Sequence, residues 1–90
     1  MPSPKLPHAA DYQALGRALR GLRQAAGLTQ VQAAEPAGIR SKFVSEVERG
    51  NRGLRWHTLL ALLHTYGCDL RDLADAIEAA GQASPADGSS

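Results

Sequence analysis

Thr29-Gln30-Val31-Gln32-Ala33-Ala34-Glu35-Pro36-Ala37-Gly38-Ile39-Arg40-Ser41-Lys42-Phe43-Val44-Ser45-Glu46-Val47-Glu48-Arg49-Gly50 reads as two short helices joined by a tight turn. Thr29 can cap the first helix, since its hydroxyl can accept from backbone N–H groups two or three residues on; Pro36 and Gly38 stop the alanine-rich run that follows. Pro36 has no N–H and would clash inside a longer helix, which predicts a helix that is short or bent near its end. The second helix begins near Ser41, buries Val44 and Val47 at i, i+3, and closes at Gly50, where glycine tolerates the left-handed conformation. Ser41, Lys42, Ser45, Glu46 and Arg49 then form one outward stripe of side chains able to hydrogen-bond base edges and phosphates.

Upstream, Asp11 can cap a helix running to about Ala26, in which Leu15, Leu19, Leu22 and Ala26 recur on one buried stripe; Gly27 ends it. Arg17 and Arg20 lie off that stripe and read as solvated, with one of them available to a phosphate. Downstream, Asn51-Arg52-Gly53 is a polar loop and Arg55 precedes the next helix; beside a groove-bound helix, Arg52 and Arg55 could grip a sugar-phosphate backbone. A fourth helix, about Trp56–Tyr66, carries Leu59, Leu60, Leu62 and Leu63, too many apolar positions for a single stripe, and reads as buried on most sides with Trp56 as a packing anchor. Asp69 caps a fifth helix with Asp72 in its first turn and Leu70, Leu73 and Ile77 along an apolar edge, and Gly81 ends it.

Gly27-Leu28-Thr29-Gln30, Ala34, Ala37-Gly38-Ile39, Val44-Ser45 and Val47-Glu48-Arg49-Gly50 resemble the helix-turn-helix of the Cro and lambda-repressor family, also called the xenobiotic-response-element family; the likeness extends from about Leu15 to Leu73. The resemblance implies an all-α, five-helix lambda-repressor-like DNA-binding domain whose recognition helix, Ser41–Gly50, enters the major groove. It implies base contacts from Ser41, Lys42, Ser45 and Glu46 and backbone contacts from Gln30, Arg40, Arg49, Asn51, Arg52 and Arg55. Gln30 also sits where unpaired N–H groups and the helix dipole favour an anion. By the same resemblance Arg23 and Glu48 form a partly buried ion pair locking helix 1 to helix 3, the alternative being two independent surface charges. Three residues depart from the family pattern: Ala33 replaces a leucine, Pro36 interrupts the first motif helix, and Arg40 replaces a capping serine or threonine, which leaves Ser41 to take over the cap.

With 90 residues, a net charge of +1 and one cysteine, the chain is a single domain with a modest core and no internal disulfide. We divide it into an N-terminal arm, 1–10, expected to be disordered; the DNA-binding domain, 11–81; and a tail, 82–90, of Gly, Ala, Ser, Pro and Asp that cannot order itself. Met1–Pro7 lacks the apolar stretch of a signal peptide, and no apolar run is long enough to span a membrane, so the expected location is the cytoplasm, on the nucleoid when bound to DNA. The charge is unevenly spread. Arg17, Arg20, Arg23, Arg40, Lys42, Arg49, Arg52 and Arg55 face only Glu35, Glu46 and Glu48 over residues 17–55, whereas residues 69–90 set Asp69, Asp72, Asp75, Glu78 and Asp87 against Arg71. A basic half can meet phosphates while an acidic half faces elsewhere.

The resulting expectation is a sequence-specific transcriptional repressor that binds double-stranded DNA as a homodimer on a palindromic operator, with Leu70, Leu73 and Ile77 at the dimer interface. A DNA-binding antitoxin paired with a toxin protein is the alternative, because the Phe43–Gly50 run resembles recognition helices of kinase-toxin antitoxins. A helical protein-interaction module is a second alternative, since Glu46 on the reading face repels phosphate. No cofactor and no enzyme activity are expected: Glu46 and Glu48 project in different directions, and no nucleophile is placed beside a histidine and a carboxylate. His57, His64 and Cys68 are too few for a zinc site.

Overall fold

The computed structural model describes residues 9–82 of the chain, with side chains over 12–80. Within them lie five helices and no strand: α1 (Ala9–Ala25), α2 (Gln30–Ala37), α3 (Ser41–Glu48), α4 (Trp56–Thr65) and α5 (Leu70–Gln82). Residues 1–8 of the expected arm and 83–90 of the expected tail lie outside the described residues. Two boundaries differ from the sequence reading. The chain is already helical at Ala9, so Asp11 lies inside α1 instead of capping it, and α5 continues through Gly81 to Gln82.

Local side-chain bonds set the starts of α2 and α5. Thr29 Oγ1 accepts from Gln32 N at 3.1 Å while Thr29 N donates to Gln32 Oε1 at 2.9 Å, so both orphan donors at the start of α2 are satisfied reciprocally. Asp69 and Asp72 repeat the arrangement ahead of α5, at 2.8 and 3.0 Å. Pro36 falls in the last turn of α2, one residue before the helix stops at Ala37. Gly38 then takes φ 71°, and Ile39 N reaches back to Ala34 O at 3.1 Å, the wrapped ending that an L side chain at Gly38 would strain. The start of α3 is different. Its cap is Arg40, which makes no side-chain capping bond, and Ser41 is the first helical residue. Ser41 therefore does not take over the cap.

The core gathers Ala18 and Leu19 of α1, Ala33 of α2, Val47 of α3, Leu62 and Leu63 of α4, Tyr66 just past it, and Leu73 of α5. Ala33 is completely enclosed between helices, so the small residue at this position is matched by close packing. α1 packs on α3 and α5, and α2 on α3 and α4. Gly16 allows the α1–α3 approach: a Cβ there would overlap the carbonyl oxygens of Val47 and Glu48 at the end of α3. Of the expected α1 stripe, Leu19 is fully buried and Leu15 and Leu22 pack beside it, but Ala26 is exposed past the helix end.

Two further expectations fail on burial. Trp56 is 60% exposed at the start of α4, so it does not anchor the core; α4 buries Thr58, Leu62 and Leu63 and leaves Leu60 partly in solvent. Leu73 is only 5% exposed and faces the core, because α5 lies against α1. It cannot be a dimer contact in this fold. Leu70, 45% exposed, does face outward, and Ile77 is half-buried against the core.

Candidate nucleic-acid interface

α3 is fastened from below by a buried ion pair. Arg23, in the last turn of α1, donates through Nε to Glu48 Oε2 at 2.6 Å and through Nη2 to Glu48 Oε1 at 3.0 Å, a two-point bond between planar groups. Its Nη1 also donates to the Leu28 carbonyl at 2.8 Å, so the guanidinium joins α1, the loop ahead of α2 and the end of α3. Both residues are buried, and the bond to Glu48 raises the Arg23 pKa against the opposing effect of burial. Gln30 Nε2 completes the carboxylate's shell at 3.1 Å from Oε1. Gln30 is thus tied into the scaffold in the free protein, and its contribution is structural as well as positional. Tyr66 lies in the electrostatic reach of the pair; its buried hydroxyl has no hydrogen-bond partner, and burial, then the Glu48 charge, push the phenol up to about 12 although Arg23 pulls it down.

Fastened this way, α3 turns Val44 and Val47 inward and keeps Lys42 and Arg49 exposed, with Ser41, Ser45 and Glu46 half-buried on the same outer side. A small polar depression of about 230 Å³ opens where α1, α2 and α3 meet, lined by Arg20, Arg23, Gln30, Ser45, Glu48 and Arg49. It brings Arg20 beside Arg49 and Ser45, a grouping that periodicity along α1 could not reveal because its partners lie on other elements. Arg40 is exposed at the uncapped start of α3, and Asn51 and Arg55 are exposed beyond its end.

Glu46 and Arg52 behave differently from expectation. Arg52 Nη1 donates to Glu46 Oε1 at 3.0 Å, and the guanidinium lies over the Phe43 ring with its carbon 4.7 Å from the centroid. Neither side chain is free: Arg52 is folded back from the loop onto α3, and Glu46 answers it. The pair is half-exposed and contributes about 0–1 kcal/mol to stability, so its interest is positional. A groove of about 360 Å³ runs along this side of α3 between Ile39, Arg40, Lys42, Phe43, Glu46 and Arg52.

Elsewhere, among the described residues, no cluster of three or more His, Cys, Asp or Glu could hold a metal, and no helix is long and apolar enough to cross a membrane. Cys68 packs half-buried against the core, with its thiol pKa raised by burial and then by Asp72 and Asp69. A wider open groove of about 800 Å³ lies between α4 and α5, bordered by Leu60, Leu63, His64, Cys68, Leu70 and Arg71.

Comparison with known proteins places this geometry. Residues 14–77 match the helix-turn-helix domain family. The chain is 38% identical over 60 residues to the HTH-type transcriptional regulator DdrOP3 of Deinococcus deserti, covering 67% of this chain and 46% of that protein, so it spans about half the length of that relative. Among solved structures, it is similar to the restriction-modification controller protein C.AhdI from Aeromonas hydrophila, with TM-score 0.68 and 36% identity over 71% of this chain and 97% of the other. It is also similar to the clp gene regulator ClgR from Corynebacterium glutamicum, with TM-score 0.77 and 30% identity over 96% and 88% of the two chains.

Proposed function

The chain belongs to the helix-turn-helix domain family, in the lambda-repressor-like fold of DNA-binding transcription regulators, which are not enzymes, and from that premise we propose that it is a sequence-specific repressor that reads double-stranded DNA through α3. The observation that carries this reading is the polar outer face of α3, held by the buried Arg23–Glu48 bond and flanked by Arg20, Arg40, Arg49 and Arg55. Such a helix offers side chains to base edges in the major groove while the surrounding cations bind phosphates and fix its register. Lys42 and Ser45 are the base-reading side chains, with Ser41 beside them, because its hydroxyl is not spent on a cap. Arg40, Arg49, Asn51 and Arg55 grip the sugar-phosphate backbone, joined by Arg20, and the orphan N–H groups at the start of α3 favour the same anions.

A single such helix reads few base pairs, so the working species is a two-fold homodimer on a near-palindromic operator with half-site centres about 10–10.5 base pairs apart. Leu60 and Leu70, exposed together on the groove between α4 and α5, offer apolar surface for the contact. The site of action is the cytoplasm, at the nucleoid. The residues after α4 form a helix, α5, and nothing in them favours the antitoxin reading over the repressor. Selection of bound duplexes from a random pool tests the proposal. The wild-type chain should enrich a near-palindrome, and Lys42→Ala and Ser45→Ala should relax it; a chain that enriches nothing at low salt would be an interaction module instead.

A further inference from the structure

Resting on the DNA-reading role of α3, we infer that Arg52 is a specificity-determining residue that reads a guanine, and that Glu46 is the positioning residue that aims it. A clamp for phosphates gains nothing from a carboxylate at its tip. Glu46 would offset the charge that attracts the phosphate and repel the phosphate itself, whereas both penalties are smaller at a base edge, whose acceptors carry partial charges and not a full one. The pairing therefore disfavours the backbone as Arg52's target and leaves the base edge.

The geometry suits that target. Arg52 is contacted on two sides, by Glu46 Oε1 at 3.0 Å from Nη1 and by the Phe43 ring, over which the guanidinium carbon lies. Phe43 and Glu46 both belong to α3, so the guanidinium is registered to the reading helix and not to the loop that carries it. It borders the same groove as Lys42 and Arg40, on the outer side of α3. Only one of its nitrogens is engaged. The remaining N–H donors can meet the O6 and N7 acceptors that guanine alone presents side by side in the major groove. A guanidinium resting over a ring and tethered at one nitrogen loses less freedom on making that two-point bond than one free in the loop would, and a lysine could not reproduce the bond.

The test uses the full chain, the duplex it selects, and variants of that duplex with each position changed in turn. Arg52→Ala and Arg52→Lys should both lose the preference for guanine at one position per half-site, by roughly 5- to 150-fold. Arg52→Lys, which keeps the charge, should keep the wild-type slope of log K against log salt. Glu46→Gln should lose part of the same preference without weakening binding to unrelated DNA. Both positions reach the surface, and a thermal melt of each of the three variants confirms that the fold is retained. If Arg52→Ala instead weakened every duplex by one common factor and lowered the salt slope by about one unit, with Arg52→Lys restoring both, Arg52 would be a phosphate clamp and the inference would fall. An unchanged preference in Glu46→Gln would remove Glu46's part. A wild-type chain with no affinity for any duplex would overturn the DNA-binding reading beneath it, a result distinct from either.

Discussion

Arg23 and Glu48 are the residues on which the orientation of α3 turns. A buried pair gains little net stability over an apolar substitute, but removing one partner strands the other. Arg23→Ala would leave the Glu48 carboxylate buried with only Gln30 for company, and should cost about 3–5 kcal/mol in chemical denaturation; a loss under about 1 kcal/mol would mean that the bond is solvated. Tyr66 adds a pH dependence. Its phenol is pushed up to about 12 in the folded state, while an unfolded tyrosine titrates near 10. The folded chain holds this proton more tightly, so stability is full below about pH 10 and falls as pH rises towards about 12, by roughly 1.4 kcal/mol per unit. Tyr66→Phe should remove that alkaline step and, by deleting a buried hydroxyl without a partner, leave stability at pH 7 unchanged or higher. Identical losses for the two proteins between about pH 10 and 12 would contradict the account. None of this was legible from periodicity. Arg23 and Glu48 are linked in sequence only through the family resemblance, and the capture of Gln30 by Glu48, like that of Arg52 by Glu46, depends on how two elements dock.

The helices themselves were legible because their signals are local. Thr29 ahead of α2, Asp69 with Asp72 ahead of α5, Gly38 in the turn and the inward valines of α3 all act within a few residues of where they stand. Reading failed where the neighbour is distant. Asp11 resembles a cap but lies inside a helix already formed at Ala9, and Trp56 looks like an anchor although nothing in the core receives it. Gly16 is the clearest case, a residue that lowers helix propensity yet is required by the carbonyl oxygens of Val47 and Glu48 against it. Gly16→Ala gains about 1 kcal/mol of propensity and loses more to the forced separation of α1 and α3. The net expectation is a destabilisation of about 1–3 kcal/mol, measured by urea unfolding, and a stabilised variant would contradict the close approach.

Over the whole molecule, the uneven charge seen in the sequence becomes a division of labour. Arg20, Arg23, Arg40, Arg49 and Arg52 lie on or against α3, while the acidic residues of α5 sit on a helix that packs against α1 and makes no part of the candidate interface. The same packing decides which leucines are free for assembly. Leu73→Asp puts a charge into the core and should unfold the chain, whereas Leu70→Asp should leave the melt nearly unchanged and weaken self-association in analytical ultracentrifugation. A wild-type chain that sediments as a monomer at high concentration and on a full operator would remove the dimer.

The central claim, that α3 reads DNA, is tested most directly by fluorescence anisotropy. The chain would be titrated onto its selected duplex and onto a scrambled one across a series of salt concentrations. The account predicts that the selected duplex binds at least about 10³-fold tighter than the scrambled one. It also predicts that log K for both falls linearly with log salt, by about 0.9 for each phosphate contacted. Equal affinity for the two duplexes, or no affinity for either at about 50 mM salt, would contradict it.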